Sequence, residues 1–450
     1  MNDLNVAKFG GTSMADFTAM KRCANIVLAD STIRVVVVSA SSGVTNQLIE
    51  LCSGECDRPA RQAIIDRISE HHRTILAEIG NPAQAATTLE QLLGRLNATA
   101  QQLSEGCTLQ LADQILSFGE LLSSTLFSEV IRLTDQNCQW FDARTVMITD
   151  SVHGSGEPQT AQIASAAQAN LLPLCQQNIV VTQGFIGSDA QGNTTTLGRG
   201  GSDYSAALLA EGLQAQNLQI WTDVEGVYTT DPRIATNAYA MKEISFCEAA
   251  ELATFGAKVL HPSTLWPAIR QNINVFVGSS HNPTNGGTWI KQQVDSAPNY
   301  RAIAVRSNQT LVTVSSLSML HTHGFLARVF TILAKHKISV DLITTSEVSV
   351  ALTLDSVAST NGGLAQVVID ELSELCEVKV EQGLALVAVV GNKIERQAGV
   401  SARLFNVLSP YNLRMICFGA SSHNICFLVE QAEANDIVCS LHRELFEQES

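Results

Sequence analysis

Val6-Ala7-Lys8-Phe9-Gly10-Gly11-Thr12-Ser13 decides how the rest of the chain is read. An apolar run from Leu4 rises into a lysine, two glycines and two hydroxyls, and a helical pattern follows over residues 16–28. Strand, glycine turn and helix start together offer free backbone N–H groups to an anion. Glycine lets the backbone approach that anion closely. Lys8 adds a full positive charge, and Thr12 or Ser13 is placed to cap the helix. The GxxxxGK[ST] spacing of a P-loop is absent, and a plain turn would use the same glycines.

Working outward, Arg34-Val35-Val36-Val37-Val38 is a continuous β-branched run. Such a run suits a strand buried on both faces, as in a parallel sheet. It empties into Ser39-Ala40-Ser41-Ser42-Gly43-Val44-Thr45-Asn46, and ligands of open α/β sheets sit beyond the carboxyl ends of strands. Residues 60–133 are helical in pattern, with Ile64, Ile65, Ile68, Ile75, Leu76 and Ile79 near 3.6 spacing. Within them Glu120 stands among apolar neighbours. A carboxylate buried there without a partner is costly, so position alone favours a solvated Glu120 over one paired with a cation such as a ligand amine.

Residues 179–187 read as another strand ending in glycine. A second glycine turn follows, Thr196-Leu197-Gly198-Arg199-Gly200-Gly201-Ser202-Asp203, feeding a helix over 205–211. Arg199 sits where backbone bulk is low, and its planar fork suits bidentate capture of a carboxylate or phosphate. Residues 218–223 form a strand, and the turn after it carries Tyr228 and Arg233, suited to a base and phosphates. Phe255-Gly256-Ala257-Lys258-Val259-Leu260-His261-Pro262 brings a second lysine near a helix. Strands alternate with helices throughout, the mark of a parallel α/β domain.

Polar residues 292–299 with Pro298 mark a boundary, beyond which the chain repeats itself at an offset of 75. Leu311, Gly324, Ala327, Arg328, Phe330, Leu333 and Ser346 recur as Leu386, Gly399, Ala402, Arg403, Phe405, Leu408 and Ser421. Each copy reads strand, loop, helix, strand, strand. Copy one adds a helix (363–375) and a strand (378–381), whereas copy two has its helix (432–445) and then stops. Residues 300–306 are placed to supply the missing strand, so copy one reads as an insertion into copy two.

Composition excludes some partners. Net charge is −15 with no basic block to offset it, which argues against nucleic acid and against an anionic membrane surface. The chain's 45% hydrophobic content can bury a large core. Its eleven cysteines are scattered, and Cys52 and Cys56 lack zinc-spaced partners. They read as reduced thiols of a cytoplasmic protein. No basic-then-apolar leader opens the sequence, and no apolar run reaches the roughly 18 residues of a membrane span.

The Lys8–Ser13 and Thr196–Asp203 stretches, Thr222-Asp223 with Gly226-Val227-Tyr228-Thr229-Thr230-Asp231-Pro232-Arg233, and Phe255–Pro262 resemble, in order, the motifs of aspartokinases. The two repeats resemble ACT domains. The segment from Met319 to Phe330, with Ser339–Glu347, is similar to the single-function, lysine-inhibited branch of that family. Glu225 departs from the pattern, since proline is common there, and the chain's end at Ser450 leaves no room for a fused homoserine dehydrogenase domain.

The resemblance implies an α/β amino acid kinase fold over 1–292, with a mainly parallel sheet between helices. Two ferredoxin-like βαββαβ ACT domains follow: the first at 311–385, inserted, and the second formed by 299–310 with 386–450. It implies ATP-dependent phosphorylation of the L-aspartate β-carboxylate, the first step of the lysine, threonine and methionine (diaminopimelate) pathway, with feedback inhibition by L-lysine. On that reading Lys8 stabilises the transferring phosphoryl group, Asp203 orients Lys8, and Gly10 and Gly11 present backbone donors. Lys258 sits at the ATP phosphates, and Thr222, Asp223, Tyr228 and Arg233 hold the nucleotide. Arg199 clamps the α-carboxylate of aspartate and Glu120 pairs with its amine, with Ser39, Thr45 and Ser202 completing the pocket. Mg2+ rides on the phosphates, mostly with water. No residue set is implied as a metal cage.

The implied effector residues are Met319, His321, Gly324, Phe325, Leu326, Ser339, Val340, Asp341, Thr345, Ser346 and Glu347, with Asp341 or Glu347 taking lysine's ammonium. In copy two Ser422 replaces the acid at 347 and Met415 replaces Val340, which points to a structural role. ACT sheet edges pair between chains, implying a homodimer. The rival readings are a non-catalytic lysine sensor of the same fold, and a kinase for another acid such as glutamate.

Overall fold

The computed structural model describes residues 4–54, 56–135, 137–256, 262–320, 323–354, 364–396 and 398–447. Lys258 and His321 lie outside the described residues. The chain divides into two compact units: Met1–Val227, Ala240–Phe246 and Val259–Val294 form the first, and Tyr228–Tyr239, Cys247–Lys258 and Asp295–Ser450 the second.

The strands of the first unit are β1 (Asn5–Phe9), β2 (Ile33–Val38), β3 (Cys138–Trp140), β4 (Ile179–Gln183), β5 (Ile186–Ser188), β6 (Thr194–Thr196), β7 (Asn217–Thr222), β8 (Glu243–Ser245), β9 (Asn274–Ser279) and β10 (Gly287–Lys291). Eight of them form one sheet in the order β3-β4-β2-β1-β7-β9-β10-β8, while β5 and β6 pair as a separate hairpin. Every pair in the large sheet is parallel except β9 with β10. The valine run lies in β2, flanked by β1 and β4. Val35 to Val38 are all 0% exposed, and each fully buried valine contributes about 1.5–3 kcal/mol relative to an exposed one.

The helix after β1 runs Phe17–Ala29 and is capped by Asp16, whose carboxylate accepts from Ala19 N. Thr12 and Ser13 are therefore not its caps. They lie inside an intervening 3-10 turn, Gly11–Met14. The long helical stretch resolves into helices Arg58–Ile79, Ala83–Gln101 and Leu109–Arg132. The last starts at Thr108, whose hydroxyl accepts from Leu111 N. It is buried on all sides over Leu121–Ser128, so it shows no amphipathic stripe.

The second unit carries one six-stranded sheet, built from β11 (Ala302–Ser315), β12 (Val340–Thr345), β13 (Ser349–Leu354), β14 (Glu377–Val390), β15 (Met415–Phe418) and β16 (Asn424–Glu430). Its order is β12-β13-β11-β14-β16-β15. Strands β11 and β14 are long because each serves both repeats. Leu311–Ser315 pair with Glu377–Glu381, and Ala302–Arg306 pair with Leu386–Val390, with register shifts between. The edge position that copy two leaves open is thus filled by the strand just before copy one.

Helices Phe325–Lys335 and Gln366–Ser373 belong to the first repeat, and Val400–Leu408 and Ala434–Phe446 to the second. Each repeat has its own core: Val312, Val329, Leu333, Leu352 and Leu372 in one, Val387, Leu404, Phe427, Ile437 and Leu441 in the other. No described helix is long and apolar enough to cross a membrane.

Candidate active site

The carboxyl ends of β1 and β2 place two loops side by side. Ser39 N donates to Phe9 O at 3.1 Å, so the hydroxyl loop starts level with Lys8. Gly11 keeps that approach close: a Cβ on it would stand 3.1 Å from Ala40 O, a tight contact that the loop would have to shift to accept. Helix Leu109–Arg132 fixes the same loop from beneath. Ser123 Oγ donates to Ser39 O at 2.8 Å, and Ala40 N donates to Glu120 Oε1 at 3.1 Å. The third wall is the turn Gly198-Arg199-Gly200. Both glycines have positive φ, 72° and 74°, which L side chains adopt only at a cost. Gly200 also opens helix Gly201–Leu213, with Asp203 in its first turn.

These walls enclose a cavity of about 530 Å³. Lys8, Gly10, Gly11, Ser39, Thr45, Glu120, Arg199, Ser202, Asp203, Thr222 and Asp223 all line it. Residues separated by up to 215 positions in sequence thereby meet in one crevice. Lys8 is 8% exposed and its Nζ lies 2.5 Å from Asp203 Oδ1. Arg199 is exposed at the rim. Thr222 Oγ1 donates to Asp223 Oδ1 at 3.1 Å.

Two expectations are corrected here. Glu120 is not solvated: it is 3% exposed. Burial pushes its carboxyl up to about 8, against the opposing pull of the Ala40 N–H and, more weakly, Lys8. In the ligand-free pocket it is therefore mostly protonated at pH 7, and an arriving cation would favour its ionised form. Gly10 is not an available donor, because its N–H donates to Trp221 O at 3.1 Å. The donors at this turn come from Gly11 onward, where the first N–H groups of the 3-10 turn have no partner within it.

Some residues of the site were not singled out from sequence. Ser41 is 1% exposed, lines the cavity, and its hydroxyl has no hydrogen-bond partner among the described residues. A serine in a serine-rich loop carries no signal that separates it from its neighbours. Asp113 is fully buried and accepts from His153 Nδ1 at 2.8 Å, from Gly154 N and from Thr196 Oγ1 at 2.5 Å. It ties together the loop at 153–154 and the start of the Arg199 turn. Phe185 lines the cavity with φ of 66°, its N–H held by Ser205 Oγ.

Tyr228 and Arg233 belong to the second unit. Arg233 is exposed and forked onto Asp231, with Nε to Oδ1 at 2.9 Å and Nη2 to Oδ2 at 2.5 Å.

The candidate effector residues cluster in the first repeat. Met319, Phe325 and Val340 pack on one core. Gly324, at φ of 83°, opens helix Phe325–Lys335, and Leu326 is exposed. Asp341 and Thr345 lie on edge strand β12, with exposed Ser339 before it. Ser346 Oγ bonds Ser349 Oγ at 2.7 Å, and Glu347 is exposed. Asp341 is already engaged by Arg306, Nη2 to Oδ2 at 2.5 Å.

Among the described residues, no group of three or more His, Cys, Asp or Glu side chains could hold a metal ion. The donor set at the cavity is hydroxyl and carboxylate oxygen.

Comparison with known proteins identifies the family. Residues 3–279 match the model of the amino acid kinase family, and residues 312–359 and 387–445 match that of an ACT domain. The chain is 52% identical to the lysine-sensitive aspartokinase 3 of Escherichia coli (strain K12), over 99% of this chain and 100% of that one. It is 35% identical to the chloroplastic aspartokinase 1 of Arabidopsis thaliana, over 98% of this chain and 80% of that one. The structure is similar to the crystal structure of E. coli aspartokinase III in complex with aspartate and ADP (R-state), with a TM-score of 0.89 at 52% identity, covering 98% of this chain and 100% of that one.

Proposed function

This chain belongs to the aspartokinases of the amino acid kinase family, and from that premise we propose that it transfers the γ-phosphoryl group of ATP to the β-carboxylate of L-aspartate, giving 4-phospho-L-aspartate and ADP. The observation that carries the reading is the convergence of Lys8, Arg199 and Glu120 with a ring of hydroxyls on one cavity. That charge pattern complements an amino acid beside a polyphosphate.

A carboxylate with a pKa of about 4 is already a nucleophile at neutral pH, so no general base is needed. The obstacle is repulsion between two anions, and positioning with fixed positive charge removes it. Lys8, held by Asp203, meets the phosphoryl group in flight. Arg199 clamps the α-carboxylate and Glu120 takes the α-ammonium, while Ser39, Thr45 and Ser202, joined by Ser41, line the substrate. Thr222, Asp223, Tyr228, Arg233 and Lys258 hold ATP.

A Mg2+ ion fits the oxygen donor set, with Asp223 and water beside phosphate ligands, and when bound it would neutralise phosphate charge. On this reading the kinase domain spans 1–292, although segments 228–239 and 247–258 within it pack in the second unit, the first ACT domain spans 311–385, and the second is formed by 299–310 with 386–450.

L-lysine inhibits this enzyme by binding one conformation better than another. The relative in E. coli is lysine-sensitive, and a structure of E. coli aspartokinase III in complex with lysine and aspartate (T-state) superposes with a TM-score of 0.85, at 52% identity over 99% of this chain and 100% of that one. With Asp341 engaged by Arg306, exposed Glu347 is favoured for the ligand's ammonium, and the helix opened by Gly324 for its carboxylate. Met319, His321, Phe325, Leu326, Ser339, Val340, Thr345 and Ser346 complete that site. Edge strands β12 and β15 expose Ile343, Ile416 and Phe418, which supports pairing with a second copy. The cysteines are free thiols, as a cytoplasmic protein's would be.

ADP release from ATP plus L-aspartate, titrated with L-lysine, tests the whole reading. It predicts aspartate-dependent turnover that lysine suppresses. Lysine binding without ADP formation would make the chain a sensor, turnover with glutamate instead would reassign the substrate, and inhibition by threonine but not lysine would reassign the effector.

A further inference from the structure

Segment 228–239 carries Tyr228 and Arg233, read above as nucleotide ligands, and it is packed within the second unit. Its anchorage there is extensive. Ile303 N donates to Thr229 O at 2.7 Å, on strand β11. Cys439 Sγ contacts Ile234 O at 3.1 Å, from helix Ala434–Phe446. The segment also closes on itself, Thr229 N donating to Tyr239 O at 3.0 Å.

At the centre stands His442, which is 0% exposed. Its Nε2 lies 2.9 Å from Thr229 Oγ1, and its Nδ1 lies 3.0 Å from Glu447 Oε1. Glu447 Oε2 in turn accepts from Asn237 Nδ2 at 3.0 Å. His442 first, and Asn237 next, hold the Glu447 carboxyl below its usual range, so Glu447 is the acceptor and Nδ1 carries the proton. Nε2 and the Thr229 hydroxyl share the second bond, whose donor is set by the protonation of the ring. The Thr229 oxygen keeps a lone pair for Tyr239 N, which donates to it at 3.3 Å. Both ends of the segment hang on one imidazole, Thr229 directly and Asn237 through Glu447.

We propose that the C-terminal helix Ala434–Phe446 is a positioning element for nucleotide binding, acting through His442 on Thr229 and so on the neighbouring Tyr228 and Arg233. The inference rests on the assignment of those two residues to ATP. It gives the second repeat a task of its own. That repeat has Ser422 where the first has the acid Glu347, and it holds the nucleotide segment. Thr229 and Ala235 are buried anchors, whereas Arg233 between them is exposed. The segment thus presents the exposed Arg233 side chain from a fixed backbone.

The test is calorimetric ADP binding to the full chain, alongside steady-state kinetics. Losing a buried hydrogen-bonded imidazole in His442→Ala should weaken ADP, and raise KM for ATP, by about tenfold. KM for aspartate and kcat should stay within about twofold. His442→Gln, which restores a polar atom near Nε2, should recover most of the loss. Thr229→Val should reproduce the defect from the nucleotide side, and the double variant should be no worse than either single one, because both remove one interaction. Thr229→Val carries the test if His442→Ala does not fold.

Unchanged ADP affinity in a folded variant would overturn the proposal. So would an equal fall in aspartate affinity, or additive losses in the double variant. Weakened ADP binding together with a wild-type chain that never phosphorylates aspartate would sink the proposed reaction and leave this inference standing.

Discussion

Filling the cavity with an amino acid at pH 7 should expel a proton. Glu120 lies under the Ser39–Thr45 loop, and burial lifts its carboxyl to about 8. A group with that pKa is about 0.9 protonated at pH 7 and about 0.1 protonated at pH 9. Docking an α-ammonium against it favours the anion, so L-aspartate binding should release close to one proton at pH 7 and very little at pH 9. Calorimetric titration in buffers of different ionisation heat, at one pH, measures that number directly. Binding heats that do not depend on buffer at pH 7, or a proton release that persists unchanged at pH 9, would refute the placement of Glu120 against the substrate amine.

The same carboxyl has a stability signature. Its folded pKa of about 8 stands above the unfolded value of 4.5, so between those limits the folded state holds a proton that the unfolded state has lost. Stability therefore falls as pH rises through that window, and ligand-free Glu120→Gln should gain in melting temperature over wild type between pH 5 and 8 while losing aspartate affinity. Arg199→Lys keeps the charge but loses the planar fork, and should raise KM for aspartate by about tenfold with kcat changed less, as initial rates would show. Gly200→Val puts a β-branched residue at φ of 74°; it should raise KM for aspartate and lower the melting temperature by a few degrees.

The cavity was legible because its parts are local signals: glycines beside a lysine or an arginine, and strands that end in hydroxyls. Once the strands run parallel, their carboxyl ends must face the same way, and Lys8, Ser39 and Thr222 are brought to one side by topology alone. The repeat was legible for a different reason. A shared pattern of small and apolar residues at a fixed offset survives without any knowledge of pairing, and the missing strand of copy two follows from counting elements.

What stayed hidden is long-range or degenerate. Position alone suggests a solvated Glu120, because helix Leu109–Arg132 is buried nearly all round and gives no stripe from which to infer an outside. Thr12 and Ser13 pass for caps because nothing local separates a 3-10 turn followed by an Asp16 cap from a helix beginning earlier. The Gly10 N–H passes for a free donor to phosphate, and its partner, Trp221 O, lies more than two hundred residues away. The anchorage of segment 228–239 on His442 has the same character: two short stretches, each unremarkable alone, meet only in the folded chain.

The central claim is that a few fixed cations let two anions react, with Lys8 proposed to meet the transferring phosphoryl group. Hydroxylamine trapping of the acyl phosphate, comparing wild type with Lys8→Ala, tests this most directly. The account predicts aspartate-dependent hydroxamate from wild type and a fall in kcat of at least about 100-fold in the variant, with aspartate affinity changed only a few-fold. Near-normal turnover in Lys8→Ala would contradict it.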